Sequence, residues 1–418
     1  MRSRALLALA ASSALSALPI AAQKLAPPVK DSTMVAYDED GLRVHSADGR
    51  RQLKVRGYIQ MDGRLTFSDT SDAAPNTISL RRVRMIIDGT LNPWLAMRIG
   101  LDLYTPGASP SVDAFADITL TSHWWVRAGK QKTPYGWERY SPIGDQYFPE
   151  RSIANSLTSS RDGGLLVTGE YGGGRYEGSL GVFNGIPDGA IADADVNDAK
   201  DAVVRLIYRP ALRERGQGLT IGFNGTSGVQ RGSTSVPQLP KFASPAGPTW
   251  FGYRESAGTI ADGPRKRAGF FTVAHFGAWG GTAEWYNNIA RIRRGSAFGD
   301  IGTTGFLALG DVVFTGEPSA PNGIAPAHAF DPSHGHWGAL QAVARVSHLT
   351  VDRAAFPFFA DSTISSRSAT ESAIGLNWYI TRTTKGIIDW EHTTFVGGAP
   401  VGDRKTEDLL FLRAQIAF

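Results

Sequence analysis

The last ten residues, Leu409 to Phe418, alternate strictly between apolar and mixed side chains. Arg413 and Gln415 fall on one parity. The other parity carries only apolar residues, namely Leu410, Leu412, Ala414 and Ile416. A period of two is that of a β-strand with one apolar face. A secreted chain that closes on such a strand is a candidate outer-membrane β-barrel, which narrows its function to transport, adhesion or catalysis by a barrel.

The amino terminus has the three parts of a secretory signal. Arg2 and Arg4 form a basic start, an apolar stretch follows, and Ile20-Ala21-Ala22 is a plausible cleavage site. We therefore predict a signal peptide over 1–22, a short periplasmic arm over 23–50 and a pore-forming barrel domain over 51–418. A buried core helix is the alternative for the first segment, but a polar, proline-containing stretch follows it rather than a partner helix.

Composition excludes several classes of function. The formal charge of the chain is only +4, and two of its positive charges leave with the signal, so net charge predicts no nucleic-acid partner. There are no cysteines, which rules out disulfides, thiol nucleophiles and Cys-ligated metals. The chain nevertheless has 48 glycines, 20 Phe, 12 Tyr and 10 Trp, which suits many strands joined by turns.

Alternation of the same kind recurs along the chain and predicts the fold class. It is clear in segments 52–65, 80–89, 95–103, 204–209, 340–346 and 374–380. About 370 residues at about 23 per strand give about 16 strands, a size that encloses an aqueous channel. We predict an all-β, transmembrane antiparallel β-barrel of about 16 strands, placed in the outer membrane of a Gram-negative bacterium.

A soluble β-sandwich also alternates, so further features are needed to favour the barrel. The polar face of the strands repeatedly carries arginine. Tryptophan and tyrosine occur near strand ends, as in aromatic girdles. Connections are either very short, as at Asn92-Pro93, or long, as over 228–266 and 315–336, which is typical of turns on one side and loops on the other.

The polar parity of the strands defines a series of inward cations. Arginine keeps its charge and offers a planar fork to phosphate and carboxylate, so rows of arginine and lysine suit an anion pore. Alternatively, these groups pair with inward carboxylates such as Asp62, Asp88 and Asp102 and stiffen the wall. The series consists of Lys54, Arg56, Arg64, Arg82, Arg84, Arg98, Arg127, Arg205, Arg345 and Arg413.

Segment 129–164 is a long connection without periodicity, rich in proline, glycine and aromatic residues. Long irregular connections in compact domains are usually functional. Because Trp137 and Tyr140 suit packing, we predict that this segment folds inward as a constriction loop rather than remaining an ordinary external loop. Its cations would then lie at or beside the constriction, namely Lys130, Lys132, Arg139, Arg151 and Arg161.

Several short motifs, taken in order, resemble the phosphate-selective porin O and P family over about residues 41–418. They are Gly57, Arg82, Gly129-Lys130, Pro134-Tyr135-Gly136, Phe148-Pro149-Glu150-Arg151-Ser152, Val182-Phe183-Asn184-Gly185, Phe330-Asp331-Pro332, Gly338-Ala339, Ala344-Arg345 and Gly375-Leu376-Asn377-Trp378-Tyr379. The resemblance implies a 16-stranded, trimeric outer-membrane channel for anions, with phosphate or polyphosphate as substrate. It also implies that the segment after Lys130 enters the pore and that the inward arginines form a ladder.

Other classes of function stay open. Within porins, the alternative is a general or organic-anion channel without phosphate selectivity. A barrel enzyme would need a recognisable nucleophile and base, which the sequence does not offer, and an adhesive barrel with a blocked lumen is the third class. No cofactor is predicted, and Asp331, His334 and His336 are interpreted as a surface turn rather than a metal site. Expected partners are small anions, outer-membrane lipid, further copies of the chain and, through Phe418, the barrel assembly machinery.

Overall fold

The computed structural model describes residues 34–38, 41–67, 75–104, 111–189, 197–211 and 217–418. The predicted signal peptide and the first part of the predicted arm lie outside these ranges. The strands are β1 Met34–Asp38, β2 Gly41–His45, β3 Gln52–Thr66, β4 Thr77–Asn92, β5 Leu95–Asp102, β6 Ser111–Thr119, β7 Trp124–Lys132, β8 Arg161–Tyr171, β9 Tyr176–Phe183, β10 Asp201–Tyr208, β11 Gln217–Arg231, β12 Phe242–Ala243, β13 Thr249–Phe251, β14 Thr259–Phe276, β15 Trp279–Arg294, β16 Ala297–Val313, β17 Ala339–Val351, β18 Ser366–Tyr379, β19 Thr384–Gly397 and β20 Glu407–Ala417.

Sixteen strands form a closed antiparallel barrel. Each of β3 to β11 and β14 to β20 pairs with its neighbour in sequence, and β20 pairs back onto β3 to close the sheet. Strands β1 and β2 form a hairpin that extends the sheet at the first residues of β3. This confirms the predicted fold class and strand number.

The alternation of polar and apolar residues in the sequence corresponds to the alternation of inward and outward side chains in the barrel wall. In β20, Phe411 and Arg413 point inward and are 0% and 3% exposed, while Leu412 between them is 42% exposed on the outer surface. A barrel in lipid places apolar side chains outside and polar ones inside, the reverse of a soluble protein. In β20, Arg413 therefore lies on the inward parity that the sequence pattern predicts.

The barrel closes at a glycine. Gly57 donates its amide to the carbonyl of Phe418 at 2.7 Å, and the amide of Phe418 donates to the carbonyl of Gly57 at 2.9 Å. A Cβ at Gly57 would lie 2.3 Å from the Arg84 carbonyl and 2.9 Å from the Phe418 ring. The terminal aromatic residue thus occupies space that only a glycine leaves open.

The connections differ in length between the two ends of the barrel, except that the long connection 314–338 and the two-residue turn 295–296 each lie at the end where the opposite length is usual. Short turns at 93–94, 120–123, 172–175, 277–278 and 380–383 lie at the end that carries the hairpin and Phe418, which we call the turn end. Connection 314–338 also lies at the turn end, whereas 232–258 lies at the opposite, loop end. The sequence-based grouping of 228–266 and 315–336 as loops of one side is therefore wrong, because their side depends on how many strands precede them.

Connection 133–160 runs inside the barrel rather than outside it. It contains the short helix α1 Trp137–Tyr140 and the 3-10 turns Ile143–Asp145 and Ile153–Leu157. Tyr135, Ile153 and Leu157 are fully buried against wall residues and against the β12–β13 hairpin at the loop end. The remaining 3-10 turns are Glu255–Ala257, Pro332–His334 and Arg353–Ala355. None of the helices in the described ranges is long and apolar enough to span a bilayer.

Candidate functional site: a basic cavity beside the inner loop

Most inward arginines of the wall are paired with inward carboxylates. Arg56 and Arg98 donate to the two oxygens of Asp88 at 3.1 and 2.5 Å. Further pairs join Arg84 to Asp102 at 2.8 Å, Arg127 to Asp117 at 2.7 Å, Arg161 to Asp113 at 2.8 Å and Arg413 to Asp62 at 2.6 Å. These contacts favour the wall-stiffening interpretation for this part of the series.

Arg345 joins the wall to the inner loop. Its guanidinium lies against Glu371 and donates to Glu391 at 2.9 Å. It also donates to the carbonyl of Glu150 at 2.9 Å and lies over the Phe148 ring, 4.2 Å from the centroid. Arg345 is 2% exposed. Its contacts with Glu150 and Phe148 therefore fix the inner loop to the wall rather than present a charge to the lumen.

Other wall groups bind the backbone of the loop along its length. Arg413 donates to the Pro149 carbonyl and Lys385 to the Gln146 carbonyl, both at 2.8 Å. Glu284 accepts the amides of Trp137 and Glu138 at 2.6 and 2.9 Å. Glu371 accepts the amide of Ile153 at 3.0 Å. The loop is therefore held by side chains from β15, β18, β19 and β20.

A cavity of about 340 Å³ lies where the inner loop meets β3, β4 and segment 243–247. We call it the basic cavity. Its charged lining consists of Arg64, Arg81, Arg82, Arg139, Arg151 and Glu150. Four of these five arginines were predicted from the sequence, and the two loop arginines, Arg139 and Arg151, do lie beside two predicted wall arginines.

Glu150 offsets part of this positive charge. Arg81 donates to its Oε1 at 2.7 Å, and Arg82 Nη2 lies 3.9 Å from its Oε2. Burial disfavours the ionised carboxylate, but the charges of Arg81 and Arg82 outweigh burial and hold the pKa of Glu150 well below its usual range. The cavity therefore keeps an excess of positive charge at neutral pH.

The other three arginines of the cavity donate to neutral oxygens. Arg64 donates to the Ala246 carbonyl at 3.2 Å. Arg139 donates to Thr158 Oγ1 at 2.9 Å, and Arg151 donates to the Glu138 carbonyl at 3.1 Å. Burial lowers the pKa of Arg139 to about 10 and that of Arg151 to about 9, so both stay protonated at neutral pH.

The remaining predicted cations lie elsewhere. Lys132 donates to the carbonyls of Tyr140 and Ser141 at 2.8 and 2.6 Å and so fixes the start of the loop. Lys130 has the opposite parity to Arg127 and donates to the Ser111 carbonyl at 2.7 Å. Arg205 lies between the rings of Tyr140 and Phe271, 4.6 and 4.8 Å from their centroids. Lys54 is half-buried near the turn end.

Sequence reasoning missed Arg81. Because Arg82 points inward, strict alternation places its neighbour Arg81 on the outer face. The register of β3 and β4 shifts between Gln60 and Met61, however, so that Arg81 has no partner in β3. A bulge of this kind redirects a side chain, and here it brings Arg81 to Glu150. No period-two pattern could have revealed it.

Connection 314–338 contacts the inner loop from the turn end. Asp311, near the end of β16, accepts a hydrogen bond from Ser319 Oγ of this connection at 2.6 Å and another from Tyr147 of the inner loop. Pro321 and Tyr147 line a small cavity of about 30 Å³. Near the end of connection 314–338, His334 Nδ1 lies 2.6 Å from Asp331 Oδ2. Within the described residues, no group of three or more potential ligands is placed to hold a metal.

A closed barrel of sixteen antiparallel strands with a loop bound inside its lumen has the architecture of the outer-membrane porins. The family model for "Phosphate-selective porin O and P" matches residues 53–418, nearly the whole chain. The chain therefore belongs to the phosphate-selective porin O and P family. A search of curated protein sequences found no significant match.

Solved structures confirm the barrel at low sequence identity. The trimer form of OmpT from Vibrio cholerae is 11% identical, with a TM-score of 0.53, over 88% of this chain and 100% of that one. The outer membrane channel DcaP of Acinetobacter baumannii is 8% identical, with a TM-score of 0.54, over 89% and 99%. Salmonella typhi OmpF, in complex with daunomycin, is 11% identical, with a TM-score of 0.51, over 92% and 100%.

Proposed function

We propose that this chain is an outer-membrane porin of a Gram-negative bacterium through which small anions, including phosphate or polyphosphate, diffuse passively. It acts as a channel rather than as an enzyme, and the inner loop narrows its lumen. The observation that carries the proposal is the basic cavity, where five arginines surround one carboxylate in about 340 Å³. Arginine binds phosphate and carboxylate bidentately and keeps its charge.

The two groups of arginines have different roles in this proposal. Arg64, Arg139 and Arg151 donate to neutral oxygens and face the basic cavity, so they contact the anion. Carboxylate-paired arginines such as Arg127 hold the wall rigid. The other inward cations of the predicted series contribute to the potential that draws anions into the lumen.

Planar-bilayer recording tests the proposal. In a potassium chloride gradient, the reversal potential is expected to show anion preference, and added phosphate is expected to block chloride current. Arg64→Gln removes a charge contact of about 1–4 kcal/mol, which raises the half-blocking phosphate concentration at least about fivefold. Arg127→Gln combined with Asp117→Asn is the matched control, since it removes a wall ion pair outside the cavity without changing the net charge of the lumen, and its effect should stay below twofold. Cation preference or the absence of phosphate block would overturn the proposal.

A general or organic-anion porin is the second candidate. The size of the basic cavity favours it, because about 340 Å³ accommodates anions larger than a single phosphate. Titration of the same chloride current with dicarboxylates discriminates the two. Stronger block by a dicarboxylate than by phosphate assigns the channel to organic anions.

We also propose that three copies assemble and that the barrel assembly machinery recognises the strand ending at Phe418. A trimer form is described for the structurally similar OmpT. Phe418 supports the second proposal because it lies at the seam, bonded to Gly57. Mass measurement in a mild detergent is expected to give three times the mass of the mature chain, which is the 44.9 kDa of the full chain less its predicted signal peptide.

A further inference from the structure

Four basic side chains lie together on the outer wall near the loop end of the barrel. Arg231 of β11 and Lys266 of β14 are exposed and share the outward parity of Val229 and Phe270, which are 40% and 54% exposed. Strands β11, β14 and β15 are neighbours in the wall, about 4.8 Å apart. We call the group the outer basic patch, which consists of Arg231, Lys266, Arg291 and Arg293.

Carboxylates offset only part of the charge of the outer basic patch. Arg291 donates to Asp300 at 2.8 Å, and Arg293 donates to Asp262 at 2.5 Å. Within the described residues, the two members of the patch whose side chains form no ion pair or hydrogen bond are Arg231 and Lys266. The patch therefore presents two unpaired positive charges on the outside of the barrel.

A bulge in the wall lies directly under the patch. The register of β14 and β15 shifts between Ala261 and Arg265, so that residues 262–264 lie opposite Arg291 alone. Gly263 among them has a φ of +138°, and a Cβ there would lie 2.8 Å from Arg291 Cδ. A bulge redirects side chains, and here it lets the stem of Arg291 lie across the backbone of β14.

The patch lies at the head-group level of one leaflet. Phe276 and Trp279 flank the turn 277–278 and are 46% and 66% exposed, as aromatic residues at a membrane interface are. At about 3.3 Å per residue and a tilt of about 40°, Lys266 lies about 25 Å above Phe276 and Arg291 about 30 Å above Trp279. The apolar band of a membrane barrel is about 25 Å tall, and its long loops are extracellular. The patch therefore meets the head groups of the outer leaflet.

The surface between the patch and the turn end is apolar. Phe270, Trp285 and Ile289 point outward there and are 54%, 42% and 45% exposed, which suits contact with acyl chains. The next three strands of the wall differ at their loop end, because their outward side chains there are uncharged, namely Leu165, Val182 and Ala202. Positive charge at the head-group level is thus concentrated on β11, β14 and β15 relative to β8, β9 and β10.

We propose that the outer basic patch binds the phosphates of a glycolipid in the outer leaflet, whose acyl chains lie against the apolar surface below it. Clusters of lysine and arginine at a membrane surface attract anionic head groups, and arginine fits phosphate bidentately. The backbone positions of Arg231 and Lys266 are about 13 Å apart, so a head group with two phosphates can contact both. The inference rests on the proposed outer-membrane location but not on the proposed anion selectivity, which concerns the lumen.

Binding of lipid A that carries two phosphates to the folded barrel in detergent, measured by native mass spectrometry, tests the proposal. Arg231→Gln combined with Lys266→Gln removes the two unpaired charges and is expected to raise the Kd at least about tenfold. Arg51→Gln combined with Arg175→Gln is the matched control, since it removes two exposed arginines at the turn end, and its Kd should stay within about twofold of the wild type. Lipid A stripped of its phosphates is expected to bind the wild type as weakly as the patch variant binds the phosphorylated lipid.

Three results would overturn the proposal: an unchanged Kd in the patch variant, an equal loss in the turn-end control, or equal binding of the lipid without phosphates. Displacement of the lipid by inorganic phosphate, at the concentration that blocks chloride current, would assign the patch to free anions and overturn it as well. An anion-selective channel whose patch variant still binds the lipid would overturn this inference alone. Tight, patch-dependent lipid binding by a channel without anion preference would overturn the proposed function alone.

Discussion

At the scale of single residues, the arginines of this barrel differ in whether a carboxylate neutralises them. Arg413 donates to both oxygens of Asp62 at 2.6 Å, and the two side chains are 1% and 6% exposed. Arg64 instead donates to a carbonyl and lies over the Phe411 ring, 5.1 Å from its centroid. An arginine that is paired with a carboxylate stabilises the wall, whereas an arginine that donates to a neutral oxygen keeps its positive charge available to a solute.

The paired arginines are therefore expected to matter for stability. Arg413→Met leaves Asp62 buried without a counter-charge, a change that costs about 3–5 kcal/mol. Urea unfolding of the folded barrel in detergent measures it as a lowered midpoint. Arg291→Met is the control, because its pair with Asp300 is solvent-exposed and its loss should leave the midpoint unchanged. Equal losses in the two variants would contradict the assignment.

At the scale of elements, the inner loop owes its shape to the wall rather than to its own sequence. Connection 133–160 has only a one-turn helix and two 3-10 turns. Glu284 accepts two of its amides and the hydroxyl of Tyr286, while Arg345 and Arg413 bind two of its carbonyls. Hydrogen bonds that involve a charged group contribute about 1.5–3 kcal/mol each, so a few such anchors suffice to hold the segment.

Removing an anchor is expected to open the loop locally without unfolding the barrel. Glu284→Ala removes the acceptor of the Trp137 and Glu138 amides, and opening that is about 1.4 kcal/mol easier populates the open loop tenfold more. Limited trypsin digestion should then cut after Arg139 at least about tenfold faster. Glu177→Ala, which removes only the pair with Arg209, should not change that rate. Equal cleavage rates in the two variants would show that Glu284 does not hold the loop.

The sequence predicted strands well and loop contacts poorly, for physical reasons. In β5, β18 and β20 the hydrophobic period alone defines the two faces, because lipid and lumen select opposite side chains at each step. The pair of Arg413 and Asp62 could not be predicted, since barrel closure brings together residues from the two ends of the domain. Arg81 was missed because a bulge breaks the period, and the end on which 314–338 lies follows only from the complete strand count.

At the scale of the whole molecule, selectivity depends on where charges lie, because the net formal charge is only +4. Carboxylates pair with much of the arginine charge in the wall, whereas the basic cavity is lined by five arginines and one carboxylate. A change of one unit charge beside the inner loop therefore changes a large fraction of the electrostatic potential that a passing ion experiences. The loop itself contains a carboxylate that can make this change near neutral pH.

Asp145 of the inner loop is that carboxylate, and it predicts a pH-dependent selectivity. Burial raises its pKa to about 6, although Lys385 and Lys132 act in the opposite direction. Above pH 6 the group is ionised and offsets one positive charge; as the pH falls through 6 it becomes neutral, so the lumen becomes more positive. Anion preference, measured as the reversal potential in a potassium chloride gradient, is therefore expected to rise from pH 8 to pH 5. Asp145→Asn should show a smaller rise in anion preference over this range than the wild type, and a variant that keeps the full rise of the wild type would assign it to another group.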